Sequence, residues 1–249
     1  MKRIDLMGFH FISATFDDVL TKLLEGDIDP SDGYPFVITP NADQVLQFND
    51  NPPLKSFFEK SAFILPDGFP IIAFSKLFRQ PLSGRLAGSD LFPMIWRSII
   101  KERKRVFVIA PNETTGELLR EEYPSLVYHV PGMLNVNDKP SFDKEVDSIS
   151  AKLRAQQFDF VLIGLGFPKQ EMLTRMIYEK RPEQRPIFML LGASFEFYLG
   201  LKKRAPVWIR KVGFEWLHRL MQEPGRLWKR YTIGNIRFML FFIKSYLRK

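Results

Sequence analysis

The chain has 249 residues, 45% of them hydrophobic and 14% aromatic, enough for one sizeable α/β core with a small appendage. It contains no cysteine, which excludes disulfides, thiolate metal sites and cysteine nucleophiles, and its three histidines, His10, His129 and His218, lack any zinc-ligand spacing. The net charge of +8 is unevenly placed: residues 201–249 hold 13 Lys or Arg against Glu215 and Glu223, while residues 1–200 hold 23 bases against 26 acids.

The chain starts MKRIDLMGFHFISATF, where Asp5, Gly8 and His10 interrupt what would have to be the apolar core of an export signal. Nowhere do 18 apolar residues run together, so no transmembrane helix is expected and a cytoplasmic protein is. Apolar, β-favouring runs then recur as PFVITP (35–40), AFILP (62–66), RVFVIAP (105–111), LVYHVPG (126–132), FDFVLIGLG (158–166) and PIFMLLGAS (186–194). Segments of helical spacing, such as SDLFPMIWRSIIKER and SFDKEVDSISAKLRAQQ, lie between them. Strands apolar on both faces and alternating with helices predict an α/β, Rossmann-like, mainly parallel sheet covered by helices.

In such sheets ligands bind beyond the carboxyl ends of the strands, which directs attention to five strand mouths. LEGDIDPSDG (24–33) is not one of them: Asp27-Ile28-Asp29 has the letters of a metal-binding D-x-D, but sits in a Gly/Pro/Asp loop after a helix, and no metal site is expected there. In VITPNADQV, Asn41 precedes Gln44 by three residues, as in a capping box, and Thr39 and Asn41 also put a hydroxyl and an amide where they can orient a sugar. FILPDGFP (63–70) places Asp67 between a strand and a glycine. It reads either as a turn residue or as a general base able to take a proton from a substrate hydroxyl.

LSGRLAGSD (82–90) offers Arg85 for a phosphate, a ring or a surface salt bridge, followed by a Ser-Asp pair placed to cap a helix starting near Leu91. VLIGLGFPKQE (161–171) is strand, Gly164-x-Gly166, then a helix start near Pro168, a geometry that lets a diphosphate approach backbone N–H groups. Lys169 stands where the dinucleotide fingerprint needs its third glycine, which disfavours an oxidoreductase. Gln170 and Glu171 add polar candidates.

The composition shifts after Gly200. Trp208, Phe214, Trp216, Leu217, Leu220, Leu227, Trp228 and Tyr231 interleave with Arg210, Lys211, Arg219, Arg226, Lys229 and Arg230. Residues 1–200 are therefore read as the α/β core and 201–249 as a basic, aromatic-rich helical appendage that faces an anionic membrane surface. FMLFFI (238–243) is too short to span that membrane. A nucleic-acid-binding module is the non-enzyme alternative, disfavoured by the acidic body. An apolar stretch such as IIAFSKLF (71–78) fits core or subunit interface, leaving a homo-oligomer open.

TPNADQV, ILPDGFP, RLAGSD, IGLGFPKQE, LLGASFEFYLG and RAPVWIRKVGFEWLHRLMQEPGRLWKRY, in that order over about residues 35–235, resemble the WecG/TagA/CpsF glycosyltransferase family. The resemblance implies an inverting transferase on the cytoplasmic face of the bacterial inner membrane that needs no metal or other cofactor. It would move a sugar, of the N-acetylmannosamine type, from a UDP-sugar to a polyprenyl-diphosphate-linked sugar in surface polysaccharide synthesis. Another UDP-hexose or a UDP-uronic acid would suit the same fold and reaction, and nucleic acid would be no partner. The resemblance makes Asp67 the base and assigns Thr39, Asn41, Arg85, Gly164, Gly166 and Gln170 to substrate. Arg219, Arg226, Lys229 and Arg230 match cations that fold over the site to hold the diphosphate. Two departures, Pro111-Asn112 in place of glycines and VPGMLNVND (130–138) in place of a glycine-tyrosine stretch, fall on the side the resemblance assigns to the nucleotide.

Overall fold

A computed structural model describes residues 1–26, 28–180 and 186–206, and scattered positions between 209 and 244. The chain opens with an antiparallel hairpin, β1 (Lys2–Leu6) and β2 (Phe9–Ser13), pairing Leu6 with Phe9. Met7 and Gly8 turn it with φ of 58° and 79°, the left-handed pair that matches strand twist in a two-residue turn. Ile4, Leu6, Phe9 and Phe11 are buried, while Lys2, Arg3, Asp5 and His10 face water. The residues that break an export signal are thus outward positions and the turn of a hairpin.

The six apolar runs supply β3 (Tyr34–Ile38), β4 (Ser61–Ile64), β5 (Val106–Ile109), β6 (Val127–His129), β7 (Phe160–Ile163) and β8 (Ile187–Leu190). They form one all-parallel sheet in the order β4-β3-β8-β7-β5-β6. This is the Rossmann-like architecture expected from the alternation of strands and helices.

Successive side chains leave a strand on opposite faces, so the sheet feeds two cores. Phe36, Ile38, Phe107, Ile109, Val161, Ile163, Phe188 and Leu190 pack with helices α2 (Ala42–Asn49), α3 (Pro52–Phe58), α4 (Phe69–Leu77), α7 (Lys139–Ala155) and α8 (Lys169–Glu179). Val37, Val106, Val108, Leu162 and Met189 pack with α1 (Phe16–Glu25), α5 (Gly88–Lys101), α6 (Glu113–Glu122) and α9 (Ser194–Tyr198). The chain leaving β3 turns to the first face and that leaving the neighbouring β8 turns to the second. A crevice opens where they part, as sheets of this kind require.

The stretch read as core or interface becomes α4. Ile71 and Ser75 are buried, and Phe74 packs on Phe238 with ring centroids 5.5 Å apart, but Phe69 and Leu77 are 57% and 68% exposed. Among the described residues no helix is long and apolar enough to cross a membrane. Arg219, Arg226, Lys229 and Arg230, with most of the appendage, lie outside the described residues.

Candidate active site

Beyond β4 the chain keeps its pairing with the segment after β3. Leu65 N–H donates to Ile38 O at 2.8 Å, and Asp67 N–H to Pro40 O at 3.3 Å. Gly68 then takes φ 97°, a backbone conformation costly for any residue with a Cβ, and α4 begins at once. Asp67 is therefore a turn residue by its backbone, while its side chain lines a cavity of about 600 Å³ together with Thr39, Asn41, Gly166, Gln170 and Gly192.

Asn41 caps α2. Its side-chain oxygen accepts from Gln44 N–H at 3.1 Å, and Gln44 Oε1 accepts from Asn41 N–H at 3.0 Å. With that oxygen committed, the amide nitrogen is the group Asn41 offers the cavity.

Gln170 is buried at the first turn of α8. Its Oε1 accepts from Gly192 N–H at 3.1 Å, and its Nε2 donates to Glu171 Oε1 at 2.9 Å. Burial pushes the Glu171 carboxyl up to about 8, against the smaller opposing pull of the Gln170 amide. Glu171 thus stands neutral beneath the cavity floor at pH 7, and its Oε2 has no hydrogen-bond partner among the described residues.

The two glycines of Gly164-x-Gly166 differ. Gly166 lines the cavity, with nothing within 4 Å of where a Cβ would sit. Gly164 is buried away from it, and a Cβ there would lie 2.5 Å from the Phe195 ring. The structure places Gly164 against α9, where its missing side chain admits the Phe195 ring.

Arg85 stands at the edge of Asp67, with Nη1 3.8 Å from Asp67 Oδ1, and its Nη2 donates to Asp90 Oδ2 at 2.7 Å. The expected start of the following helix needs correction. α5 begins at Gly88, with Ala87 at its N-cap and no side-chain cap, so Ser89 and Asp90 lie in the first turn. The Asp90 carboxylate is drawn away from capping by Arg85 and by Arg204, whose Nη1 donates to Asp90 Oδ1 at 2.8 Å.

Sequence reasoning missed several residues here. Asp43, Gln47 and Asp50 of α2, Ser89, Ser194, Phe197 and Arg237 also line the cavity. Arg237 Nη2 donates to both oxygens of Asp50, at 3.1 and 3.0 Å. Three helices with residues in the cavity, α5, α8 and α9, start from Ala87, Pro168 and Ala193 with no side-chain cap, as does α4, which follows Asp67, from Gly68. Ser, Thr, Asp and Asn are the residues that usually cap a helix through a side-chain oxygen, as Asn41 caps α2 at the cavity. Here Thr15, Asn51 and Asn112 cap α1, α3 and α6 in that way.

Among the described residues no group of three or more His, Asp or Glu is placed to hold a metal ion. Of the D-x-D letters, Asp27 lies outside the described residues, and Asp29 accepts from Ser31 N–H at 2.7 Å, a local turn contact.

The sequence profile described as the Glycosyl transferase WecG/TagA/CpsF family matches residues 4–249. The chain belongs to that family. It is a glycosyltransferase, and the enzyme reading prevails over the nucleic-acid-binding alternative. A relative from Bacillus spizizenii is 28% identical over 220 residues, covering 88% of this chain and 83% of its own length. One from Staphylococcus aureus (strain MRSA252) is 25% identical over 246 residues, 97% of this chain and 91% of its own. Both are named N-acetylglucosaminyldiphosphoundecaprenol N-acetyl-beta-D-mannosaminyltransferase.

The two departures from the family pattern have local structural roles. Asn112 caps α6, accepting from Thr115 N–H at 2.9 Å. The loop after β6 is pinned by Glu145 of α7, which accepts from Gly132 N–H at 3.0 Å and pairs with His129 Nε2 at 2.7 Å. Lys152 Nζ meets His129 Nδ1 at 3.0 Å. Burial pushes the Glu145 carboxyl up, but the hydrogen bonds from His129 and Gly132 outweigh it and hold the group below its ordinary value.

Proposed function

We propose that the protein transfers N-acetylmannosamine from its UDP derivative to the sugar of an N-acetylglucosaminyl diphosphopolyprenol, with inversion and without a metal. The observation that carries the reading is the placement of Asp67. It is a carboxylate at the mouth of β4, in one cavity with Thr39, Asn41 and Gln170, at the strand ends where sheets of this type bind ligands. The names of the relatives support the donor sugar and the acceptor.

In this reading Asp67 takes the proton of the acceptor hydroxyl as that oxygen bonds to the anomeric carbon. The bond from that carbon to UDP breaks on the opposite face, and its electron pair leaves with the diphosphate. Thr39, the Asn41 amide and Gln170 orient the sugar, and Gly166 admits the substrate close to the backbone.

The leaving diphosphate needs positive charge. Arg237 lines the described cavity but is paired there with Asp50, and so is not free to serve a diphosphate. In this reading that positive charge is assigned to the cations of residues 201–249, Arg219, Arg226, Lys229 and Arg230 among them. The same segment holds the enzyme to the cytoplasmic face of the membrane, where the lipid acceptor lies.

The test is UDP release from a panel of UDP-sugars with a short-chain N-acetylglucosaminyl diphospholipid, in EDTA, comparing the wild type with Asp67→Asn. Acceptor-dependent release that needs the Asp67 carboxylate is expected, greatest with UDP-N-acetylmannosamine. Wild-type turnover by Asp67→Asn refutes the assignment of the base, and release only after a divalent cation is restored refutes metal independence.

A further inference from the structure

A base beside a guanidinium is a weakened base, because the cation favours the carboxylate over its protonated form. Asp67 and Arg85 pose that problem, since 3.8 Å separates Asp67 Oδ1 from Arg85 Nη1. The contact is looser than the 2.7 Å bond by which Arg85 Nη2 holds Asp90 Oδ2. Arg85 is thus held more closely by Asp90 than by Asp67.

The other oxygen of Asp90 is held by Arg204, and the sequence provides for that contact. Residue 93 is a proline inside α5, so Ser89 C=O lacks the N–H donor that its own helix would supply. Arg204 Nη1 fills the place, donating to Ser89 O at 3.2 Å as well as to Asp90 Oδ1 at 2.8 Å. Arg204 is itself fixed where the chain leaves the core: Lys202 pairs with Glu196 at 2.8 Å and Ala205 is buried. The Arg85, Asp90 and Arg204 side chains are between 17% and 27% exposed, shielded enough from water for their geometry to matter.

We propose that Asp90 is a positioning residue: shared between Arg85 and Arg204, it sets how closely Arg85 approaches Asp67 and so how strong a base Asp67 is. The inference rests on Asp67 acting as the base. The other described charges around the cavity are Asp43 and Asp50 of α2 and Arg237, and the substitutions below leave them in place.

The experiment is the pH dependence of kcat/KM for the acceptor, with UDP-N-acetylmannosamine as donor and the full chain on vesicles containing anionic lipid. In Asp90→Asn the neutral amide releases Arg85 to pair with Asp67. The acidic limb should then move about one pH unit lower and the plateau fall roughly ten-fold, as expected of a carboxylate given a close cation. Asp90→Glu, which restores the carboxylate, should return the limb towards its wild-type position. Arg204→Ala keeps the Asp90 carboxylate beside Arg85 and should not move the limb downwards. A purely structural role for Asp90 lowers activity at every pH without moving the limb.

If Asp67→Asn is inactive but the Asp90→Asn limb stays in place, the inference is overturned and the base stands. It is overturned equally if Arg204→Ala lowers the limb as far as Asp90→Asn does. If Asp67→Asn is active, the base and the inference fall together.

Discussion

Replacing Glu171 with Gln should make the protein less sensitive to alkaline pH. The carboxyl is buried at the start of α8 and its pKa is pushed from 4.5 up to about 8. In the unfolded chain it ionises near 4.5, whereas in the folded protein it stays protonated until pH approaches 8. Between those values the native state binds more protons than the unfolded one, so stability falls as pH rises.

Each unit of difference is worth about 1.4 kcal/mol, so between pH 5 and pH 8 this one group should remove about 3 kcal/mol of stability. Glutamine has nearly the shape of the protonated acid, can accept from Gln170 through its own carbonyl oxygen, and does not titrate. Urea denaturation of wild type and Glu171→Gln at pH 5 and pH 8 isolates the effect, because the other groups titrate in both proteins and cancel. The variant should gain on the wild type by about 3 kcal/mol on going to pH 8. A stability difference equal at the two pH values would show that Glu171 is ionised in the folded protein, and with it that the acid beneath Gln170 is not neutral.

Gly164→Ala should destabilise the fold by about 1–3 kcal/mol, since its Cβ would meet the Phe195 ring. The KM for the donor should stay within about two-fold in the protein that folds, and a KM increase without loss of stability would return Gly164 to the substrate. Glu145→Gln should cost about 1–2 kcal/mol at pH 7 through weakened bonds to His129 and Gly132. Because the Glu145 pKa is held below its ordinary value, that stabilisation is present above about pH 4.5 and is lost as pH falls, so melts of the two proteins should converge in acid. Removing residues 205–249 should abolish both flotation with anionic liposomes and turnover, and a truncated core that floats equally well would refute membrane docking by the appendage.

The sheet was legible because each of its six strands is an apolar run bounded by Gly, Pro or a polar turn, and burial on both faces leaves that pattern no other use. The hairpin at Lys2–Ser13 carries a weaker pattern: Asp5 and His10 dilute its hydrophobicity, and only strict alternation around Met7-Gly8 betrays it. That Asp67, Asn41 and Gln170 share one cavity was foreseeable because strand mouths are fixed by local sequence. The Asp90–Arg204 pair was not, since 114 residues separate the partners and no local spacing records such a contact. Nor could the Phe195 ring beside Gly164 be read from the sequence. A glycine that admits a ligand and one that admits a phenylalanine read identically until the neighbouring helix is in place.

The position of β8 has a consequence for how the protein is made. It is the last strand of the sheet to be synthesised, yet it lies between β3 and β7. Until residues 187–190 emerge, the pair β3–β4 and the trio β5–β6–β7 have no edge in common, and each exposes an unpaired strand. Insertion of β8 joins the halves, and it also brings Gly192 to Gln170 and Ser194 to the cavity. A nascent chain therefore carries Thr39, Asn41 and Asp67 as an incomplete half-site until Ile187–Leu190 are made. The basic segment follows immediately behind the strand that completes it.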